Sequence, residues 1–149
     1  MLSQRGRYAL KALLNVARAK GETRQVAVIA EEEQIPRKFL ESIMSDLRRA
    51  GLLRSVRGNQ GGYQLARPAD LISFADVIRV TDGALAMLPC ASRNFYQRCE
   101  DCPDEIACQL RALFTEVREA VTGILDNRTL AYALQREREG ENALGMDAG

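Results

Sequence analysis

The residues best equipped for chemistry lie in one short stretch. All four cysteines of the chain, Cys90, Cys99, Cys102 and Cys108, fall within nineteen residues at the spacing C-x8-C-x2-C-x5-C. Clustered thiols in a chain that reads as cytoplasmic point to metal binding or redox chemistry rather than to a structural disulfide. Three chemistries are open. An iron–sulfur cluster needs thiolates and, being large, tolerates irregular spacing. A four-thiolate zinc staple is the second, although such sites favour two short-spaced pairs and only Cys99 and Cys102 form one. The third is a reversible thiol–disulfide switch through that C-x-x-C pair. No βαβ pattern surrounds the pair, so it does not read as a thioredoxin-like enzyme. Glu100, Asp101, Asp104 and Glu105 are interspersed with the cysteines, which makes this a poor core segment.

Spacing also constrains the backbone. On one continuous helix Cys102 and Cys108 would be turned about 240° apart and separated by ~9 Å along the axis. If both are ligands, Cys102 must lie in a loop and regular helix must begin near Ile106. The positive end of that helix would then face an anionic thiolate group. Catalysis finds no comparable support. The chain contains no histidine, so Ser-His and Cys-His arrangements are impossible, and no phosphate-binding loop is present. The chain does not read as an enzyme.

The elements that must position this stretch lie on both sides of it. After it, Ile106, Leu110, Leu113, Phe114, Val117, Val121, Ile124 and Leu125 recur at steps of 4, 3, 1, 3, 4, 3 and 1, a strong helical stripe. So apolar a helix in so small a chain has more surface to bury than one domain can cover, and a two-fold homodimer is the common solution. The predicted interface residues are Ile106, Leu110, Leu113, Val117, Val121 and Ile124. Asp126-Asn127 breaks the stripe, and Thr129 can cap a last helix running to about Arg138. Residues 139–149 read as a flexible tail.

Before it, the spacing predicts a helix over Tyr8 to Ala19, a second over Val26 to Glu33 and a third from Pro36, at its first position, to Ala50. Two short strands, Leu52 to Val56 and Tyr63 to Leu65, flank the glycine-rich Arg57-Gly58-Asn59-Gln60-Gly61-Gly62. Three helices followed by a basic hairpin are the order of a winged helix-turn-helix. Its third helix would enter the major groove by its N-terminal residues, Arg37 and Lys38. The wing tip, Arg57, Gly58, Asn59 and Gln60, would meet the backbone or minor groove. Winged helices also serve as protein-interaction modules, but the charge favours DNA. Residues 1–67 carry +7 (13 basic, 6 acidic), and residues 68–149 carry −6 (8 basic, 14 acidic), so only the first half is suited to a polyanion.

The expected fold class is mainly α, a winged helix-turn-helix plus a long dimerisation helix. Its parts are the DNA-binding domain (1–67), a linking helix and connector (68–89, the helix over Ser73 to Thr81), the cysteine loop (90–108), the dimerisation and C-terminal helices (106–138) and the tail (139–149). No apolar run approaches the ~20 residues of a membrane span. Lys11 interrupts the apolar stretch behind Arg5 and Arg7, against a signal peptide. The cytoplasm is the expected compartment.

Taken together, the motifs Gly6-Arg7-Tyr8-Ala9, Leu47-Arg48-Arg49-Ala50-Gly51-Leu52, Ser55-Val56-Arg57-Gly58, Gly61-Gly62-Tyr63-Gln64-Leu65 and Asp76-Val77-Ile78 resemble the Rrf-type winged-helix regulators. That family includes the iron–sulfur cluster regulator, the nitric-oxide-sensing repressor and the rhizobial iron regulator. The resemblance covers roughly residues 1–135. It implies a homodimer on a palindromic operator in double-stranded DNA. It also implies three cysteine ligands per chain for a cluster that senses iron, cluster supply, oxygen or nitric oxide. Carried over, the ligands are Cys90, Cys102 and Cys108, with Cys102-Pro103 and Cys108 most similar to the rhizobial regulator. Arg111 stands where the cluster regulator has a histidine ligand, and Ser3 to Ala9 offers no acidic ligand. The fourth position is left to Cys99, to Asp104 or Glu105, or to a small molecule. Three thiolates without histidine favour 4Fe–4S over 2Fe–2S, with zinc as the alternative.

Overall fold

The computed structural model describes residues 2–147. The first helix, α1 (Gln4–Arg18), starts at Gln4 rather than at the expected Tyr8. The Ser3 hydroxyl accepts the Gly6 N–H at 2.9 Å and caps it, which satisfies one of the free amides of the first turn. Ser3 is itself held from afar, since its backbone N–H donates to the Asp82 carboxylate at 2.8 Å and its hydroxyl donates to the same group. No local pattern encodes that contact. α2 (Val26–Glu33) ends at Gln34, which adopts the left-handed conformation, and buried Ile35 turns the chain. α3 (Arg37–Arg49) follows. Pro36 is its N-cap rather than its first helical residue: its ψ of 124° is extended, and its carbonyl accepts the Leu40 N–H at 2.9 Å.

The wing is the antiparallel pair β1 (Leu53–Val56) and β2 (Gly62–Leu65), in register from Leu53 opposite Leu65 to Val56 opposite Gly62. α4 (Phe74–Thr81) is held by a full capping box between Ser73 and Asp76, which satisfies two amides reciprocally. A short 3-10 turn at Pro89–Ala91 leads into the cysteine loop. α5 (Gln109–Leu125) and α6 (Leu130–Asp147) complete the order.

One core forms where α1, α2, α3, the start of β1 and α4 meet, around Leu13, Ile29, Leu40, Ile43, Leu47, Leu53 and Val77. α6 enters that core. Leu130 is fully buried, its N–H donates to the Ile72 carbonyl at 3.0 Å, and Phe74 N–H donates to the Arg128 carbonyl at 2.8 Å. A fork from Arg18 to Glu137, at 2.6 and 3.0 Å, ties α6 to α1. The chain therefore leaves the winged helix after α4 and returns to it beside the same point.

Two sequence expectations shift here. Regular helix in α5 begins at Gln109, not near Ile106. The Asp104 carboxylate accepts the Ile106 N–H at 2.9 Å, an Asx-type turn that competes with helix and leaves Ile106 in the loop, 93% exposed. The last helix does not stop near Arg138 but runs through the expected tail to Asp147. Gly140 and Gly145 weaken a helix by only about 1 kcal/mol each, and no proline follows to break it. Among the described residues, no helix is long and apolar enough to cross a membrane.

Candidate functional site

Two surfaces carry the residues singled out by the sequence. The first is a pocket of about 460 Å³ into which all four thiols open, at the N-terminal end of α5. Cys90 reaches it from the 3-10 turn and is 5% exposed. Cys99 and Cys102 come from the loop, where Cys102 N–H donates to the Cys99 carbonyl at 3.3 Å. Cys108 is the N-cap of α5, and its Sγ accepts the Arg111 N–H at 3.4 Å. The candidate ligand Cys108 thus doubles as the helix cap, and the N-terminal end of α5 borders the pocket. Leu88, Pro103 and Leu110 form apolar walls.

Cys99, surplus in the ligand set carried over, is in the same pocket. Its thiol donates to Cys90 Sγ at 3.9 Å. That hydrogen bond, and then loss of solvent, pushes the Cys99 thiol above the ordinary cysteine range. Arg111 supplies a cation: it lines the pocket, and its Nε donates to the Cys90 carbonyl at 3.2 Å. Of the acidic candidates for a fourth ligand, Asp104 lines the pocket while Glu105 accepts from the Tyr96 hydroxyl.

These residues suit a polynuclear cluster. Four cysteines on one pocket, with Arg111 beside them and the N-terminal end of α5 at its edge, are residues that could hold an iron–sulfur cluster.

The second surface is the basic end of the winged helix. Arg37 and Lys38 occupy the first turn of α3 and are exposed. The Arg37 guanidinium pairs with Glu41, one turn on, at 3.2 Å. Arg57, Gly58, Asn59 and Gln60 form the exposed wing tip, closed by Gly61 N–H donating to the Gly58 carbonyl at 2.9 Å. The wing is fixed to the approach to α2 through Arg24 and Asn15, which sequence reading did not single out, and through Gly62 and Tyr63 of the wing motif. Arg24 and Tyr63 exchange backbone hydrogen bonds at 2.9 and 2.8 Å, joining β2 to the approach to α2. The join requires glycine at position 62, where a Cβ would lie 2.3 Å from the Arg24 carbonyl oxygen. Buried Asn15 locks the same corner. Its amide donates to Glu32 and Glu33 at 2.8 and 2.9 Å, and its carbonyl accepts from Arg24 Nε at 3.1 Å. An asparagine inside the apolar face of α1 was the available signal.

The predicted interface residues Leu110, Leu113, Val117, Val121 and Ile124 lie on α5, and Ile106 precedes it. No residue of α5 is buried within the single chain. Leu110 is 63%, Leu113 54% and Ile124 58% exposed. Arg118 is largely covered, and its guanidinium donates to the Ala91 carbonyl, so α5 holds the turn that presents Cys90.

The comparisons with known proteins agree with this architecture. A family model described as Rrf2, iron-dependent transcriptional regulator, matches residues 2–136. An rrf2-like HTH-type transcriptional regulator of Rhodobacter capsulatus is 42% identical over 134 residues, covering 87% of this chain and 89% of that protein. The HTH-type transcriptional regulator IscR of Klebsiella pneumoniae is 37% identical over 138 residues, covering 91% and 80%. Among solved structures, CymR, the global cysteine regulator of Bacillus subtilis, superposes with a TM-score of 0.73 at 30% identity, over 91% of this chain and 97% of that one.

Proposed function

This chain belongs to the Rrf2 family of transcriptional regulators, and from that membership we propose that it is a homodimeric regulator whose operator affinity is set by an iron–sulfur cluster. Its relatives are DNA-binding regulators, not enzymes. They include a protein named for cysteine regulation as well as an iron-dependent family description, so the signal must be argued from this chain's own residues. The observation that carries the reading is the meeting of four thiols on one pocket at the start of α5.

Cys90, Cys102 and Cys108 would hold the cluster, with Cys99 within reach as fourth ligand; a thiolate set without histidine favours 4Fe–4S. When bound, such a cluster supplies an inorganic centre sensitive to oxidants, nitric oxide and iron supply. Arg111 offsets the charge of the thiolates, and the Cys108 cap carries their state into the first turn of α5. α5 carries the apolar stripe that a second copy would cover, with Leu110, Leu113, Val117, Val121 and Ile124 facing their counterparts and Ile106 at the edge. Arg37 and Lys38 would read the major groove, and Arg57, Gly58, Asn59 and Gln60 would hold the backbone or minor groove of a palindromic operator. The dimer fixes the half-site spacing, so a change at the pocket that shifts α5 changes operator affinity.

Purification without oxygen tests this directly. The expected protein carries iron and acid-labile sulfide with a visible charge-transfer spectrum. Cys90→Ala, Cys102→Ala and Cys108→Ala each abolish iron retention. Loaded and unloaded forms differ in operator affinity by about 5- to 150-fold. Stoichiometric zinc with neither iron nor sulfide overturns the cluster and makes the loop a staple.

A further inference from the structure

We propose that Cys90 and Cys99 form a disulfide under peroxide, closing the loop between them and taking Cys90 out of the ligand set. Sequence spacing directs attention to the Cys99–Cys102 pair, but the thiol in contact with Cys99 is that of Cys90, at 3.9 Å. The backbone makes the same approach. Gln97 N–H donates to the Pro89 carbonyl at 3.3 Å, so the chain is pinched beside both cysteines. Within the loop, Phe95 N–H donates to the Ser92 hydroxyl at 3.0 Å and turns the chain back on itself. A disulfide between residues whose backbones already run side by side needs mainly side-chain rotation.

Exposure sets the order of events. Cys90 is 5% exposed and Cys99 is only partly buried, so an oxidant from solvent meets Cys99 first, and the hydrogen bond to Cys90 that holds the Cys99 proton makes that first step slow rather than redirecting it to the covered thiol. The Cys99 sulfur attacks hydrogen peroxide, an S–O bond forms, the O–O bond breaks and water leaves, giving a sulfenic acid. The Cys90 sulfur then attacks the Cys99 sulfur and expels a second water. Two thiols have surrendered two electrons and two protons, and one peroxide has become two waters. A thiol reductant reverses the bond.

Bond formation does not depend on the cluster reading; only the claim that the disulfide and the cluster exclude each other rests on it. The experiment keeps the two apart. Full-length, fully reduced protein is treated with hydrogen peroxide, remaining thiols are blocked with N-ethylmaleimide, and linked peptides are mapped by mass spectrometry. Trypsin cuts after Arg93 and Arg98, and a glutamyl endopeptidase cuts after Glu100, so Cys99 is separated from Cys102 before the linkage is read. The expected product is a peptide carrying Cys90 joined to one carrying Cys99, lost on treatment with dithiothreitol. A dominant Cys99–Cys102 link, or over-oxidised Cys99 without a cross-link, overturns the proposal even if the protein carries a cluster. In a second arm, the oxidised protein is offered ferrous iron and sulfide. Uptake lost after peroxide and regained after dithiothreitol supports the exclusion, and equal uptake by linked and reduced protein overturns it. A protein that forms the link but never binds iron or sulfide supports the disulfide and refutes only the cluster.

Discussion

Shortening Leu113 to alanine should weaken the proposed dimer without harming the single chain. Leu113 is 54% exposed and lies outside the core cluster, so its truncation opens no internal cavity. Fully burying a leucine side chain contributes about 1.5–3 kcal/mol, and the half left for a partner to cover contributes about 1 kcal/mol. A two-fold interface contains two copies. The loss is therefore about 2 kcal/mol per dimer, or about 30-fold in dissociation constant at 1.4 kcal/mol per factor of ten. Leu110 is 63% exposed on the same helix, and adding Leu110→Ala should bring the loss to several hundredfold if the two sites act independently. Sedimentation velocity over a dilution series reads the dissociation constant, and far-UV circular dichroism of the dissociated variant should match the parent. Leu113→Asp is the harsher form, since an unpaired charge in an apolar seam costs several kcal/mol, and it should give monomer or aggregate. An unchanged dimer in the double alanine variant would refute the placement of the seam on α5.

Three further outcomes follow from geometry elsewhere. Ser73→Ala removes the hydroxyl that accepts the Asp76 N–H at 3.0 Å; it should cost about 1 kcal/mol and lower the melting temperature by roughly 2–4 °C, so an unshifted melt would show that the cap contributes nothing. Arg57→Ala should remove one phosphate contact per half-site and reduce the salt slope of operator binding by about 1.8 per dimer, from an expected total of about −7 to −9; an unaltered slope would take Arg57 off the phosphates. Burial pushes Asp82 up, but hydrogen bonds from the Ser3 hydroxyl and backbone N–H outweigh it and hold its carboxyl below the usual aspartate range. A depressed folded value stabilises above the unfolded one and is lost as pH falls through the folded one. The melting-temperature gap between the parent and Asp82→Asn should be full at pH 7 and close below about pH 4; a gap constant down to pH 2.5 would contradict this.

Much of the winged helix was legible because its signals are local. The apolar spacing of Leu40, Ile43, Met44 and Leu47 marks α3, Gly51 stops it, and Ser73 and Asp76 announce the start of α4. What escaped was tertiary in origin. Gln4-Arg5-Gly6-Arg7 looks too polar and too glycine-bearing to open a helix, yet Gly6 is there because a Cβ would meet Asp82 Oδ1 at 2.8 Å. Ile106 continues the stripe in sequence but not in space, because an aspartate two residues earlier takes its amide. The thiol site shows the same division. That the four cysteines cluster is read directly from the sequence. The neighbour of Cys99 is not, because the Gln97–Pro89 pinch decides it and hydrogen bonds between backbone groups leave no mark on residue type. Arg118, charged and in mid-helix, carries no sequence signal of this role; only the fold brings the Ala91 carbonyl to it.

The return of the chain to its point of departure gives α5 the mechanics of a lever. Its far end is pivoted where Arg79 grips Asp126 with two bonds of 2.9 and 3.3 Å and where Ser73 pairs with Thr129. Its near end is Cys108. Seventeen residues make an arm of about 25 Å, so a swing of only ~5° at the pivot carries the tip by ~2 Å. Under the proposed function, an ångström-scale adjustment among the thiols would become an angular one at the root of α6 and the winged helix. Substituting Arg79 would slacken the pivot without touching any of the four cysteines or the residues proposed to contact DNA.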